Sequence, residues 1–348
     1  MKWKLALGVA ALCATSPVSA DVPLKVNGYF NTAFARSNSD TKYLTYITND
    51  GTFSADTSFG LQVMASVNAD VTFTLQLVAD HDSANVTKHM EPRVDWAYVT
   101  YQTNDELKVR AGRLRLPAFL YSDNINVRYA QPWVRPPTDV YGIFRDLPNF
   151  NGMDALYTTR FGAVDVTLQP FTGTTTWTVM GNTSTLKNNL GLVVTANVGD
   201  LTLRAMRWDN KFDIPAFGPL PALLDKKGRY EEVGVLYDRD FFFVAEKTWT
   251  QLVDLNPGQT SYYGTLGYHF GKFLPHVTYS RAHEGPTLPN AQKTRTVGLR
   301  YDVAKGTALK AEVSQIDPGT VIPGLGGFEA QPAENRVNVY SIGLNVVF

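Results

Sequence analysis

The stretch FGLQVMASVNADVTFTLQLVAD (59–80) alternates apolar and more polar residues twice, on either side of one short connection. Its first half carries an apolar residue at every second position from Phe59 to Val67, and its second half does so from Val71 to Leu77. A period of two is that of a β-strand with one apolar face. Because Ala69-Asp70 leaves room only for a tight turn, the stretch predicts a β-hairpin.

The same unit recurs along the chain, and short connections alternate with long ones rich in Asn, Gly, Thr and Pro. Sixteen strands are predicted: 24–36, 55–68, 70–80, 92–103, 105–115, 152–160, 163–171, 190–198, 201–208, 230–238, 240–250, 261–270, 273–283, 292–302, 307–317 and 335–348. Most have the length of a tilted strand that crosses a bilayer, roughly 9–11 residues. An even number of strands with short turns at one end and long loops at the other is typical of an outer-membrane β-barrel.

The sheet is expected to close on itself in a membrane, because lipid offers no hydrogen-bond partner to an open strand edge. The sequence therefore predicts an all-β fold, a closed antiparallel 16-stranded transmembrane barrel. Its apolar face would meet lipid, and its polar face would line an interior too wide for side chains to fill.

The N-terminal stretch 1–20 has the pattern of a secretory signal peptide. Lys2 and Lys4 precede a short apolar run, and small residues ending at Ala20 form a cleavage site. We therefore expect 1–20 to be removed and 21–348 to form a single barrel. Cys13 is the only cysteine, so the mature chain would hold no disulfide.

Charge and motifs exclude several classes of protein. The chain has 32 basic and 32 acidic side chains, and a nucleic-acid binder would show a basic excess. No nucleophile, phosphate-loop or metalloprotease motif is present, so we expect no enzyme activity and no cofactor. His81 and His89 fall in one predicted loop, where a polar loop is favoured over a surface metal site.

With its signal peptide, its sixteen alternating strands and a last strand that ends on Phe348, the chain resembles the Gram-negative general porins over essentially its whole mature length. The resemblance implies an outer-membrane channel reached after export to the periplasm, a homotrimer in outer-membrane lipid, and passive diffusion of small hydrophilic solutes and ions. It also implies that the barrel-assembly machinery recognises alternate residues of the last strand. These residues are Tyr340, Ile342, Leu344, Val346 and Phe348. Alternatively, Phe348 merely anchors the strand at the membrane interface.

General porins fold their third external loop into the pore, and residues 118–150 are the candidate here. This connection follows the fifth strand, is the longest in the chain, and contains seven aromatic residues and four prolines. Such a composition argues against a disordered loop. The segment also resembles a stretch shared by largely uncharacterised proteobacterial porin-like proteins, and it departs from the acidic constriction loop of enterobacterial porins.

Charged residues on and near this loop are the predicted determinants of selectivity. The predicted pore or constriction residues are Lys108, Arg110, Arg113, Arg115, Asp123, Arg128, Arg135, Asp139, Arg145 and Asp146. The predicted lumen-wall residues are Arg93, Asp95, Asp165, Arg204, Glu232, Glu246, Arg300, Lys310 and Glu312. For each wall residue taken singly, a solvated charge that keeps the lumen wet is the simpler interpretation.

The two faces of the fifth strand receive different predictions. Lys108 and Arg110 share one face and are expected to point inward, because a cation facing lipid at mid-depth costs ~2–4 kcal/mol. Arg113 and Arg115 share the other face and are expected at the outer rim, unless a bulge at Gly112 turns them into the lumen.

A diffusion channel is thus the predicted function, and two alternatives stay open. One is a substrate-selective porin, for example for anions, with a ladder formed by Arg110, Arg113, Arg115, Arg128 and Arg135. The other is an adhesion or surface-receptor barrel, in which the external loops matter more than the lumen.

Overall fold

The computed structural model describes residues 22–81, 90–142, 149–179, 182–216, 222–252, 256–284, 292–321 and 327–348. Sixteen strands dominate this part of the chain. They are β1 (Leu24–Ser37), β2 (Ser58–Ser66), β3 (Val71–Asp80), β4 (Arg93–Gln102), β5 (Leu107–Arg115), β6 (Asn149–Phe161), β7 (Val164–Val179), β8 (Asn182–Val198), β9 (Leu201–Ile214), β10 (Leu223–Asp238), β11 (Phe241–Leu252), β12 (Asn256–Tyr268), β13 (Phe273–Glu284), β14 (Lys293–Ala304), β15 (Thr307–Asp317) and β16 (Val337–Val347).

Each strand pairs antiparallel with its neighbours in sequence, and β1 pairs with β16 to close the barrel. At this seam Phe34 lies opposite Ile342 and Tyr29 opposite Val347. The main chain of Phe348 continues the pairing through two hydrogen bonds with Gly28. The closed 16-stranded antiparallel barrel predicted from the sequence is confirmed.

Strands β7 to β10 extend further than predicted. β7 runs to Val179 instead of 171, β8 begins at Asn182 instead of 190, and β10 begins at Leu223 instead of 230. The register shifts in the β8–β9 pairing between Lys187 and Leu190. These extensions contain Thr, Asn, Lys and Asp, so they lack the apolar alternation used for prediction, yet backbone hydrogen bonds alone are sufficient to continue a ladder.

The two faces of the barrel differ sharply in exposure. On β15, Leu309 and Val313 are exposed on the outer face, whereas Ala308, Lys310 and Glu312 are buried on the inner face. On β16 the predicted assembly residues share the outer face. Exposed apolar residues outside and buried polar residues inside are the arrangement expected of a barrel in lipid.

The end of the barrel with long connections is partly filled by two loops. From 38–57, Tyr43 and Ile47 are buried against Phe328 of the last loop and against Val337 and Val339 of β16. In the ranges that the structure describes, no helix is long and apolar enough to cross a membrane.

The connection between β5 and β6 contains the only regular helical structure in the described residues. It has two single 3₁₀ turns, Ser122–Asn124 and Arg128–Ala130, and one short helix, α1 (Thr138–Tyr141). We call its described part, residues 116–142, the inner segment.

Candidate functional site

The inner segment contacts strands all around the barrel. Arg204 of β9 donates to the carbonyl of Pro117, and Asn31 of β1 donates to the carbonyl of Asn126 at 2.8 Å. Lys310 of β15 donates to the carbonyl of Trp133 at 2.9 Å. Side chains of opposite walls can reach one segment only from the interior, so the inner segment crosses the lumen. Residues Arg145 and Asp146 lie outside the described residues.

One side of the inner segment is apolar and packs against the wall. Phe119, Trp133 and Tyr141 are buried in one cluster with wall residues of β5 to β13. Ring centroids are 4.5 Å apart for Phe119 and Tyr141, and 5.5 Å apart for Trp133 and Tyr263. The indole Nε1 of Trp133 also donates to the Oγ1 of Thr278 at 3.0 Å. Aromatic packing with a satisfied polar group fixes the position of this side of the segment.

Glu246 of β11 receives several donors from this apolar side. Its Oε1 accepts from the backbone N–H of Leu120 at 2.6 Å. Its Oε2 accepts from the hydroxyl of Tyr263 at 2.6 Å and from that of Tyr141. Burying a carboxylate is energetically costly unless hydrogen-bond donors surround it. Here the inner segment supplies two of these donors.

Further along, charged wall residues bind the backbone of the inner segment. Arg300 donates to the carbonyls of Tyr129 and Gln131 at 2.7 and 3.0 Å. Lys310 donates to the carbonyl of Arg128 at 2.6 Å. Glu312 accepts from the backbone N–H of Val134 at 3.0 Å. These groups satisfy backbone atoms that have no strand partner, so they act as anchors of the segment.

Arg135 forms an ion pair with a residue of a neighbouring loop. Its guanidinium lies 2.7 Å from the carboxylate of Asp56 and also donates to the Oγ of Ser341 at 2.9 Å. Burial alone would lower the pKa of Arg135, but the Asp56 carboxylate brings it above its ordinary value. Burial lowers the pKa of Arg128.

Asp139 on α1 is buried and accepts hydrogen bonds from Ser280 of β13 and from Gln292 next to β14. Burial raises the pKa of Asp139, and these hydrogen bonds oppose the shift only in part. Asp139 therefore acts as a connector of α1 to the wall, away from solvent.

The wall formed by β5 to β7 differs near its short turns, where inward side chains remain accessible, although Asp154, Phe150 and Phe171 further along are buried. Lys108 and Thr158 are exposed, and Gln169 is half-buried. Arg110 binds Asp154 with Nε 2.9 Å from Oδ1, and Gln169 donates to the other oxygen of Asp154 at 2.8 Å. The inner segment presents the exposed carboxylate of Asp123 to this wall, where it interacts electrostatically with Arg110. Water-accessible charges thus face one another across the lumen here.

Arg113 and Arg115 are predicted together, either at the outer rim or, through a bulge, in the lumen, and only Arg115 points inward. Arg115 is buried inside, paired with Asp95 and 5.9 Å from the ring of Trp96. Arg113 keeps outward parity and donates from Nε to the carbonyl of Val94 at 3.1 Å.

The bulge that brings Asp95 to Arg115 is not at Gly112. The pairing passes through Gly112 without a shift, although its φ is +136°. The register shift lies in β4, opposite Gln76 and Leu77, and leaves Asp95 without a cross-strand partner in the ladder. A bulge of this kind re-aims a side chain, so Asp95 reaches Arg115 and Asn126 inside the barrel.

The predicted wall residues divide into two groups. Arg93 pairs with Asp80, and Asp165 pairs with Arg160, and both pairs are solvent-exposed. The others point inward but are covered by the inner segment, so their interpretation as solvated charges is wrong. These covered residues are Asp95, Arg204, Glu232, Glu246, Arg300, Lys310 and Glu312.

Several residues that matter at this site were not predicted from the sequence. Asp154 and Gln169 complete the Arg110 cluster, and Asp56 neutralises Arg135. The alternation of β6 and β7 gives Asp154 and Gln169 inward parity, which could have identified them. Asp56 lies in a loop, where periodicity carries no information. Within the described ranges no group of three or more His, Cys, Asp or Glu could hold a metal ion.

Known proteins include a family to which this chain matches and solved structures with a similar fold. The model of the Gram-negative porin family matches residues 6–344. No curated protein sequence matches this chain significantly.

Among solved structures, OmpT of Vibrio cholerae in trimer form is 16% identical, with a TM-score of 0.59 over 94% of this chain and 99% of that one. OmpF of Salmonella typhi in complex with daunomycin is 11% identical, with a TM-score of 0.60 over 94% and 98%. An anion-selective porin from Comamonas acidovorans is 13% identical, with a TM-score of 0.58 over 94% and 100%. At these identities the likeness concerns the fold alone.

Proposed function

Because this chain belongs to the Gram-negative porin family and is an outer-membrane channel barrel, we propose that it passes small hydrophilic solutes and ions by passive diffusion, with no chemical step. The observation that carries the proposal is the uneven lumen. The inner segment covers the wall from β9 round to β1, whereas the β5–β7 wall keeps Lys108 and Thr158 exposed. The permeation path runs along this open wall.

The narrow part of the proposed path lies between Asp123 on the inner segment and Arg110 on β5. Charges close together in a narrow aqueous gap interact more strongly than in bulk water, and rings of side chains select ions in this way. Arg110 is neutralised by Asp154, and the exposed charges that remain are one carboxylate, Asp123, and one cation, Lys108. We therefore expect only weak ion selectivity.

We infer that an arginine ladder for anion selectivity is the weaker alternative. Arg110, Arg115 and Arg135 each pair with an aspartate, and Arg113 keeps outward parity. These side chains do not line one path with free positive charge.

A thiol scan tests the channel and its route together. Asp123→Cys should make the conductance in a planar bilayer sensitive to a cationic thiol reagent added from the aqueous side. Ala205→Cys, which faces outward on β9, is the matched control and should give no response. A channel whose current ignores modification at 123 would overturn the route, and the absence of any current would favour the surface-receptor alternative.

The proposed channel is a homotrimer. OmpT of Vibrio cholerae shares the fold and was solved in trimer form, which supports the proposal. A heat-modifiable trimer band on semi-native gels is the expected result, and migration only as a monomer in mild detergent would contradict it.

Residues 1–20, which lie outside the described residues, are proposed to direct export, and Phe348 to serve as the signal for the barrel-assembly machinery. The N-terminal sequence of the membrane-inserted protein should then start at Asp21. Deleting Phe348 should reduce barrel insertion and leave unfolded protein in the periplasm. Normal insertion of the deletion variant would instead leave Phe348 the role of an interfacial anchor.

A further inference from the structure

The side chain of Arg128 lies inside the barrel without a protein partner. Arg128 begins the second 3₁₀ turn of the inner segment, Arg128–Ala130, and is half-buried. Its Nη1 is buried and has no hydrogen-bond partner in the residues that the structure describes, and no carboxylate among them forms an ion pair with the side chain. Burying a charge is costly unless it is paired. A charge held in this position therefore favours the binding of an anion.

The hydroxyl of Tyr29 is a second donor close to Arg128. Tyr29 faces inward from β1, is 3% exposed, and interacts electrostatically with Arg128. Its ring lies over Gly60 of β2, where any larger side chain would collide with it. Within the described ranges the hydroxyl has no hydrogen-bond partner, although a buried tyrosine hydroxyl usually finds one. One charged and one neutral donor are thus left available near each other.

The charged groups around Arg128 and Tyr29 leave one positive charge over. Those that act most strongly on the two residues form three ion pairs, which are Asp56–Arg135, Asp80–Arg93 and Asp95–Arg115. Further round the wall, Lys310 is accompanied by Glu312, and Arg300 pairs with Asp302. Arg128 is the cation that remains after this pairing, so the local charge favours a single negative charge beside it.

The backbone around Arg128 is fixed by contacts with two walls. Asn31 of β1 donates to the carbonyl of Asn126 at 2.8 Å, and Lys310 of β15 donates to that of Arg128 at 2.6 Å. The N–H of Gln131 closes the 3₁₀ turn by donating to the same carbonyl of Arg128 at 3.0 Å. These anchors limit how far the guanidinium can move toward solvent. A donor that is already held in place loses less conformational entropy when it binds a ligand.

We propose that Arg128 and Tyr29 bind the carboxylate of a small organic acid inside the barrel. A guanidinium presents two parallel N–H groups that match the two oxygens of a carboxylate, and such charge-assisted pairs are stronger than neutral hydrogen bonds. The hydroxyl of Tyr29 supplies a further donor to one of these oxygens. A water molecule would satisfy the donors but would leave the positive charge uncompensated. Binding at this place requires the folded barrel and not a conducting pore.

Thermal unfolding of the full-length barrel in detergent tests the proposal, with sodium acetate replacing sodium chloride at constant ionic strength. Acetate should raise the unfolding midpoint of the wild type in a saturable manner, because a ligand that binds only the folded state stabilises it. Arg128→Gln should lose the saturable rise, and the salt effect that persists in this variant gives the background. Lys108→Gln removes another inward cation, so it is the control and should respond to acetate like the wild type.

Line broadening of isotope-labelled acetate in NMR spectra measures binding to the folded protein directly, including any variant that is less stable. Tyr29→Phe keeps the ring and removes one neutral donor, so the half-saturating acetate concentration should rise roughly 2- to 10-fold. Chloride should displace acetate only when it is present in large excess.

Three outcomes would overturn the proposal. An equal saturable response in the wild type and in Arg128→Gln would mean that water is sufficient at Arg128. Unchanged acetate binding in Tyr29→Phe would remove the hydroxyl from the site. Displacement by an equal concentration of chloride would mean that the site selects charge alone and not a carboxylate.

Discussion

Lys108 and Lys310 are both inward-facing lysines on strands of the same barrel, yet their surroundings are opposite. Lys310 on β15 is 2% exposed and donates to the carbonyls of Arg128 and Trp133. Lys108 on β5 is exposed, and no hydrogen bond ties it to the inner segment in the described residues. Strand parity places both in the lumen, but the route of the inner segment makes one an anchor and leaves the other to solvent.

The same contrast holds for the two walls. On the covered wall, from β9 round to β1, charges such as Glu246 and Arg300 satisfy backbone groups of the inner segment. On the open wall, Arg110 and Asp154 satisfy each other and Gln169. A substitution should therefore affect stability on the covered wall and conduction on the open one.

The largest expected effect is that of Trp133→Ala. Truncating a buried Trp costs about 3–5 kcal/mol, and here it also removes the hydrogen bonds to Thr265 and Thr278. The thermal unfolding midpoint should fall, and the single-channel current should become larger and noisier as the segment loosens. Trp249→Ala, which removes a Trp from the outer face, is the control and should leave the current unchanged.

A matched pair of lysine substitutions tests the comparison directly. Lys310→Met leaves buried carbonyls unsatisfied, at about 1–3 kcal/mol, and should lower the unfolding midpoint. Lys108→Met should leave the midpoint unchanged within about 0.5 kcal/mol and shift the reversal potential toward cations. Equal midpoints for the two variants would show that the walls do not differ as described.

Asp123→Lys should act on selectivity with little effect on stability. Asp123 is exposed on the inner segment and faces Arg110, so reversing its charge should move the reversal potential toward anions. Asp317→Lys on the outer face is the control. A shift of the same size in both variants would mean that the general charge of the protein, and not the lumen, sets the potential.

The smallest expected effect is a dependence on pH. Burial raises the pKa of Asp139, so the folded protein holds this proton more tightly than the unfolded chain. Stability from this group is then greatest below the ordinary Asp range and falls as pH rises toward the raised pKa. Unfolding midpoints measured across that interval should decline in the wild type and decline less in Asp139→Asn, and identical slopes would contradict this role.

Much of the barrel could be predicted, because alternation depends only on which side of a strand meets lipid. Strand number, antiparallel order and the inward parity of Lys108, Arg110 and Lys310 all follow from a period of two. The extra length of β8 and β10 could not be predicted, since Asn182–Leu186 and Leu223–Gly228 lack this alternation.

The candidate site was harder to predict than the barrel. The aromatic and proline content of 118–150 indicated a packed segment, but composition does not say against which strands it packs. Arg115 illustrates the difficulty, since a register shift in β4, a different strand, brings Asp95 to it. Asp56, the partner of Arg135, lies 79 positions away in a loop.

By itself the sequence determined the closed sheet. Each strand meets lipid on one side and water or protein on the other, so its residues alternate between apolar and polar. Only the tertiary structure decided which inward charges are exposed to water and which are buried. Whether Glu246, Lys310 or Lys108 meets water depends on the path of residues 116–142 through the lumen. That path is fixed by contacts between residues far apart in the chain, and local periodicity carries no information about such contacts.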